Sequence, residues 1–162
     1  MIVLIINKNK FKSWLPSLLW MGIIFMFSSQ PASESNQLSY GFTRVLVETL
    51  AKIIPFDIET STVIRTFGEL NHYIRKFAHF TIYLVLGILV YKALIKNKLK
   101  SRVFLISFLI CATYAATDEL HQLFVPGRGC QLRDVFIDSA GSILGISISE
   151  LLHRVRKAKF IH

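Results

Sequence analysis

Acidic residues are scarce in this chain. Ten Asp and Glu stand against nineteen Lys and Arg, and charged residues make up only 18% of the 162 positions, below the roughly 25% usual for a soluble domain. Cysteine is almost missing: Cys111 and Cys130 lie in an apolar run and a later polar stretch, which rules out a disulfide framework and gives no metal-ligand spacing. No Ser or Cys stands in an evident nucleophile motif. The motifs of lipid phosphatases are absent, and the Asp134 to Asp138 spacing matches only a fragment of the alcohol phosphotransferase motif. Despite the net charge of +9, no nucleic-acid-binding motif accompanies the basic residues, so no nucleic-acid partner is expected.

Apolar sequence is abundant instead. Hydrophobic residues make up 52% of the chain and its mean hydropathy is +0.49. Four runs carry almost no charge: Ser13 to Pro31, Phe77 to Tyr91, Val103 to Thr117 and Val135 to Ser149. Each reaches the roughly 20 residues a membrane helix needs once extended by about a turn. The predicted fold is all-α, one integral membrane four-helix bundle over residues 1–162, with spans at about 13–31, 76–95, 102–122 and 133–151. An outer segment covers 32–75 and a tail covers 152–162. The first run has a basic start, but Ser28 to Ala32 offers no small-x-small cleavage pattern, so it reads as an anchor.

Charge orients the bundle. Lys8, Lys10 and Lys12 fall on one side with Lys92, Lys96, Lys98, Lys100 and Arg102, and with Arg154, Arg156, Lys157 and Lys159. Four spans require this alternation, and the positive-inside rule makes that side cytoplasmic, with both termini inside. The expected location is the bacterial cytoplasmic membrane. In the outer segment, Leu38, Phe42, Val45, Leu46, Thr49, Leu50 and Ile53 recur at helical spacing, while Arg44, Glu48 and Lys52 mark another face and Pro55 an end. This pattern predicts an amphipathic helix on the outer leaflet or over the mouth of the bundle. A second helix is predicted to start near Ser61 and run into the second span, with Gly68 as a weak point.

The charges inside or beside the spans are the most informative residues. An Asp or Arg at the centre of a membrane helix costs about 2.5–3.5 kcal/mol on insertion scales, so such groups pair, line a polar cavity or serve a function. Arg75 and His79, Asp118 and Gln122, and Asp134 and Asp138 are each four apart, so each pair shares one helical face at the outer end of a span. Together with Glu119, His121, Arg128 and Arg133 they would line an outward-facing polar pocket. Gly141 and Gly145 form a GxxxG that allows close helix approach beside Asp138. Pro126-Gly127 reads as the turn between the last two spans.

Four blocks, in order, resemble the signature of VanZ-like membrane proteins. They are Phe27-Ser28-Ser29-Gln30-Pro31, Arg75-Lys76-Phe77-Ala78-His79-Phe80, Asp118-Glu119-Leu120-His121-Gln122 through Pro126-Gly127-Arg128, and Asp134 through Asp138 to Gly141 and Gly145. That family is named for a protein associated with low-level resistance to teicoplanin, a glycopeptide that acts on cell-wall precursors outside the bacterial membrane. The resemblance implies an envelope setting rather than a reaction. Where many relatives have an acidic residue three after the first-block histidine, this chain has Ile82, and Asp138 stands where others carry Asn.

Three readings of the pocket stay open at this level. In an enzyme acting on a phosphate-bearing lipid or cell-wall precursor, His79, Asp118, Glu119 and Asp134 are the catalytic candidates. Arg75, Gln122, Arg128, Arg133 and Asp138 would then bind substrate, the guanidinium forks matching phosphate oxygens. Asp118, Glu119, Asp134 and Asp138 could hold Mg2+ or another hard divalent ion. A non-catalytic protein would bind a lipid headgroup or wall precursor, or limit drug access to it, through the same residues. In a purely structural protein the cations would neutralise the acids.

Overall fold

The computed structural model describes residues 8–53, 60–96 and 102–159. Among these residues it has five helices and no strand: α1 (Lys8–Ser28), α2 (Ala32–Ile53), α3 (Thr60–Lys96), α4 (Val103–Gln122) and α5 (Leu132–Lys159). Pro55, Lys98 and Lys100 lie outside the described residues. Phe11–Ser28, Gly68–Lys96, Val103–Gln122 and Leu132–Lys159 are long and apolar enough to cross a membrane, so the chain is built as a helical, multi-pass membrane bundle. Bulky apolar side chains such as Leu19, Phe25, Leu109 and Phe136 are exposed on its flanks, where lipid rather than water would meet them.

Boundaries shift for local reasons. The first span stops at Ser28 rather than 31, because Pro31 lacks an N–H and disfavours helix in the residue before it. The turn that follows is short, and α2 begins at Ala32, upstream of its first apolar position at Leu38. The helix expected from Ser61 does run without a break into the second span, through Gly68, as α3. α5 continues past 151 to Lys159, with an Arg154–Glu150 pair at 2.5 Å on its exposed surface. Arg156, Lys157 and Lys159 complement the negative end of that helix.

The amphipathic segment packs by its polar stripe. Asn36, Ser39 and Thr43 recur along the side of α2 that meets α3, and the Thr43 hydroxyl donates to Asn71 Oδ1 at 3.3 Å. Leu38, Phe42 and Val45 are about 60% exposed. The apolar stripe of α2 is therefore mostly exposed rather than packed on α3 and is left for the surroundings of the bundle.

The tightest joint lies between α3 and α5. A Cβ at Gly141 would collide with the Phe80 carbonyl, one at Gly145 with the Leu84 carbonyl, and one at Gly87 with the Ser142 carbonyl. Small residues on both helices thus bring the backbones into contact, and van der Waals packing replaces the hydrophobic drive that lipid removes. Ser142 Oγ donates to Asp138 O at 3.0 Å within α5. Two longer-range bonds secure α1: Trp20 Nε1 donates to Ile82 O at 2.9 Å and Tyr114 Oη donates to Met21 O at 2.7 Å.

These contacts predict opposite outcomes for two glycines. Gly141→Ala overpacks the joint and is expected to cost about 1–3 kcal/mol, read as a lowered thermal midpoint of the detergent-solubilised protein. Gly22→Ala, with open space around its Cβ, is expected to leave the midpoint unchanged or slightly raised.

Candidate functional site

The close α3–α5 joint brings two rungs of charge into register. Lys76 and His79 lie one turn apart on α3, opposite Asp134 and Asp138 on α5. Lys76 Nζ donates to Asp134 Oδ1, with both side chains largely buried. His79 Nδ1 lies 3.6 Å from Oδ1 of Asp138, whose side chain is fully buried. The cation opposite Asp134 is thus Lys76, whereas Arg133 is exposed and lines no cavity with the other candidates. Its position explains this, because Arg133 follows Leu132 on the outer side of the first turn of α5 while Asp134 turns inward.

Glu119 is also held locally. Its Oε2 accepts the Gln131 backbone N–H at 2.9 Å, which ties α4 to the residue just before α5. Gln122 is buried on the same helix, with Nε2 lacking a partner. His121 turns toward α1, where its Nε2 lies 3.2 Å from Ser29 Oγ and its ring sits 4.6 Å from that of Phe25.

The remaining candidates converge on a cavity of about 490 Å³ between the end of α1, α2 and α3. Most of its wall is apolar, with Ile24, Leu38, Phe42 and Phe77 among its residues, while Arg75, His79, Asp118 and Arg128 supply the charged part. Phe42 and Phe77 are 63% and 70% exposed, so the apolar side of the cavity reaches the flank of the bundle where acyl chains would lie.

Local geometry explains how Arg128 arrives there. The Arg128 N–H donates to Val125 O at 3.1 Å, closing a turn with Pro126 and Gly127 at its centre. Gly127 has φ +73°, a left-handed value that favours glycine. A Cβ at this position would also press to 3.1 Å from Ala32 Cβ. Just beside it, the Ala32 N–H donates to Pro126 O at 3.1 Å, so the loop satisfies one of the free amide groups at the start of α2. Arg128 Nη2 then donates to Phe27 O at 3.1 Å, a carbonyl at the end of α1.

The two arginines are only lightly engaged. Arg75 Nη1 makes a 3.5 Å contact to Asn36 Oδ1, and Arg128 Nε is buried without a partner. Burial, and next the nearby Arg75 charge, hold the Arg128 guanidinium below the ordinary arginine value, although it stays protonated. Among the residues lining the cavity Asp118 is the only carboxylate. Ser28 faces it, yet neither Ser28 Oγ nor Asp118 Oδ1 completes a hydrogen bond. Tyr83, also a lining residue, keeps a buried hydroxyl without a partner.

The sequence-predicted pocket therefore divides in two. Arg75, His79, Asp118 and Arg128 share the cavity, whereas Glu119 and Asp134 hold helices together behind it, Asp138 is buried there with neither carboxylate oxygen hydrogen-bonded, and Arg133 stands apart. Lys76, Ser28 and Tyr83 belong to the arrangement without having been singled out. Lys76 was legible as the residue one turn before His79 and Ser28 as a member of the first VanZ-like block, but Tyr83 sits in an apolar run with no signal of its own. Among the described residues, no three His, Cys, Asp or Glu side chains gather as a metal-holding cluster, so they do not build the four-carboxylate cage. A Mg2+ ion bound mainly through substrate phosphate and water would need only one or two protein carboxylates, and at the cavity Asp118 is the carboxylate present.

Lys76→Met should leave Asp134 as an uncompensated buried charge and destabilise the bundle by about 3–5 kcal/mol. Adding Asp134→Leu should recover most of that loss, which a double-mutant cycle of thermal unfolding in detergent would measure.

No curated protein and no solved structure matches the chain at a significant level. The family model described as VanZ/LLP1 matches residues 13–153. That match reaches all four apolar helices and takes in the Lys76–Asp134 pair and every residue of the cavity, and the chain therefore belongs to the VanZ/LLP1 family.

Proposed function

We propose that this VanZ/LLP1 protein lies in the bacterial cytoplasmic membrane with both termini inside, and that its cavity binds a phosphate-bearing lipid or cell-wall precursor from the outer leaflet. The observation that carries this reading is the composition of the cavity: apolar walls open to the flank, and two lightly engaged arginines at the polar part. Such a volume, about 490 Å³, is in the range of small-molecule sites and suits a headgroup and the first carbons of its tail. The rest of the tail would extend past Phe42 and Phe77 into lipid. Orientation rests on the positive-inside rule, since the basic tail of α5 and Lys96 of α3 lie at the end opposite the cavity.

Binding fits this geometry better than turnover. His79 faces Asp138, Glu119 and Asp134 are engaged in local bonds, and the Ser29 hydroxyl beside His121 is not among the residues that line the cavity. The presence of His79 and Asp118 in one cavity supports hydrolysis of a bound phosphoester as the second reading, with His79 as general acid or base. In either case a protein that holds or alters wall precursors at the outer face would change how much of them a glycopeptide reaches. That is the route by which this member would contribute to teicoplanin resistance or to envelope lipid metabolism.

The test is retention of a radiolabelled polyprenyl phosphate by the purified full-length protein in detergent. Saturable retention is expected, reduced at least about tenfold in the Arg75→Gln, Arg128→Gln double variant, since each hydrogen bond to a charged group contributes about 1.5–3 kcal/mol. Release of inorganic phosphate would select the hydrolytic reading. Equal retention by the double variant, with folding intact, would sink both. In cells, Arg128→Gln at unchanged expression is expected to remove any effect of the gene on teicoplanin susceptibility.

A further inference from the structure

Three deeply buried polar groups that line the cavity each keep an atom outside hydrogen-bond geometry. Asp118 is 4% exposed, Ser28 3% and Tyr83 fully buried; all three line the cavity, and Asp118 Oδ1, Ser28 Oγ and Tyr83 Oη each lack a hydrogen-bond partner. A buried acceptor or hydroxyl left unpaired is costly, and native structures seldom tolerate several together. Such groups on the wall of an open cavity mark where a ligand or its water would complete the set. The arginines account for a phosphate, but a phosphate oxygen is itself an acceptor and would repel the Asp118 carboxylate. A ligand that brings a donor as well would pair with Asp118 rather than repel it.

An ammonium and a hydroxyl are the two common donors on lipid headgroups. The charges that line the cavity decide between them. Arg75 and Arg128 face it with a single carboxylate, Asp118, and Asp118 is near enough for its charge to act on Arg128. An ammonium reaching Asp118 would therefore sit in the field of two guanidiniums and meet net repulsion, whereas a neutral hydroxyl would not. A hydroxyl also serves Ser28 and Tyr83 better, because it both donates and accepts.

We infer that the cavity selects a hydroxyl-bearing phosphodiester headgroup, glycerol-like or sugar-like, with phosphate on Arg75 and Arg128 and a headgroup hydroxyl donated to Asp118. This selection rests on the phosphate-binding reading above. Asp118 is then a specificity-determining residue: it contributes little to affinity for a bare phosphodiester and discriminates by what the diester carries.

The experiment is native mass spectrometry of the purified full-length protein with competing lipids of identical acyl chains. Phosphatidylglycerol, phosphatidylethanol and phosphatidylethanolamine present a hydroxylated, a bare and an aminated diester; a polyprenyl hexosyl phosphate and its methyl ester counterpart ask the same of a sugar source. Hydroxylated diesters should be retained about tenfold over the bare diesters, the factor expected of one bond to a charged acceptor. Phosphatidylethanolamine should be retained least. Whichever hydroxylated lipid shows the larger ratio identifies glycerol or sugar as the source. Asp118→Asn should cut that ratio to within about twofold of unity, and Ser28→Ala should lower it in the same direction. Equal retention of hydroxylated and bare diesters by the unmodified protein, or preference for the aminated lipid, would overturn the inference while leaving phosphate binding standing. Retention of no phosphodiester above a neutral diacylglycerol would instead remove the phosphate-binding reading on which it rests.

Discussion

Contact between the backbones of α3 and α5 is the constraint on which the rest of the site depends. In lipid, apolar side chains gain little by leaving hydrocarbon for one another, so helices associate where their surfaces fit closely or where polar groups meet. Gly87, Gly141 and Gly145 supply the fit, because the backbone of the facing helix occupies the space a side chain would need. At that separation short reaches suffice for Lys76 to meet Asp134 and for His79 to approach Asp138. The charges fix the register of two helices that glycine alone would let slide. A buried pair of this kind breaks even at best in stability, and its value here is positional.

With Asp134 paired and Asp138 buried behind the joint, the outer side of α3 is free to face α2. Arg75 lies about a hundred degrees around the helix from Lys76, and that rotation separates a structural cation from a cavity cation. Arg128 is carried to the same cavity by the Pro126-Gly127 turn, whose positive φ and close approach to Ala32 both require glycine. The turn does two things at once, anchoring the start of α2 through Pro126 O and the end of α1 through the guanidinium. The cavity is thus framed by four helices: Arg75 and His79 owe their positions to the α3–α5 joint, Arg128 to the turn, and Asp118 is contributed by α4.

Much of this was legible in the sequence. The four apolar runs, the long helix entering the second span, and the pairing of faces at i and i+4 follow from hydropathy and helical period alone, and Asp118, Arg75, His79 and Arg128 do meet. What could not be read is which acid faces which cation. Asp134 and Asp138 share a face with each other, but only the rotation of α5 against α3 shows that Lys76, not Arg133, stands opposite Asp134. The apolar stripe of α2 is a similar case: its period was plain, yet its direction depended on Asn36 and Thr43 bonding to α3, polar residues that read in isolation as a solvated face. Tyr83 gave no warning, because a single hydroxyl in an apolar run is ordinary until its surroundings are known.

The proposed phosphate-bearing lipid would sit between α2 and α3 with its tail leaving past Phe42 and Phe77. Photocrosslinking reads this directly, with a phosphatidylglycerol carrying a diazirine near the headgroup and the labelled peptides mapped by mass spectrometry. Labels concentrated in the segments 35–42 and 74–83, and competed away by unlabelled lipid, are the predicted result. Labels spread evenly over the lipid-facing flanks, or concentrated on the α1–α4 groove at Met21, Ile106 and Thr113, would contradict it.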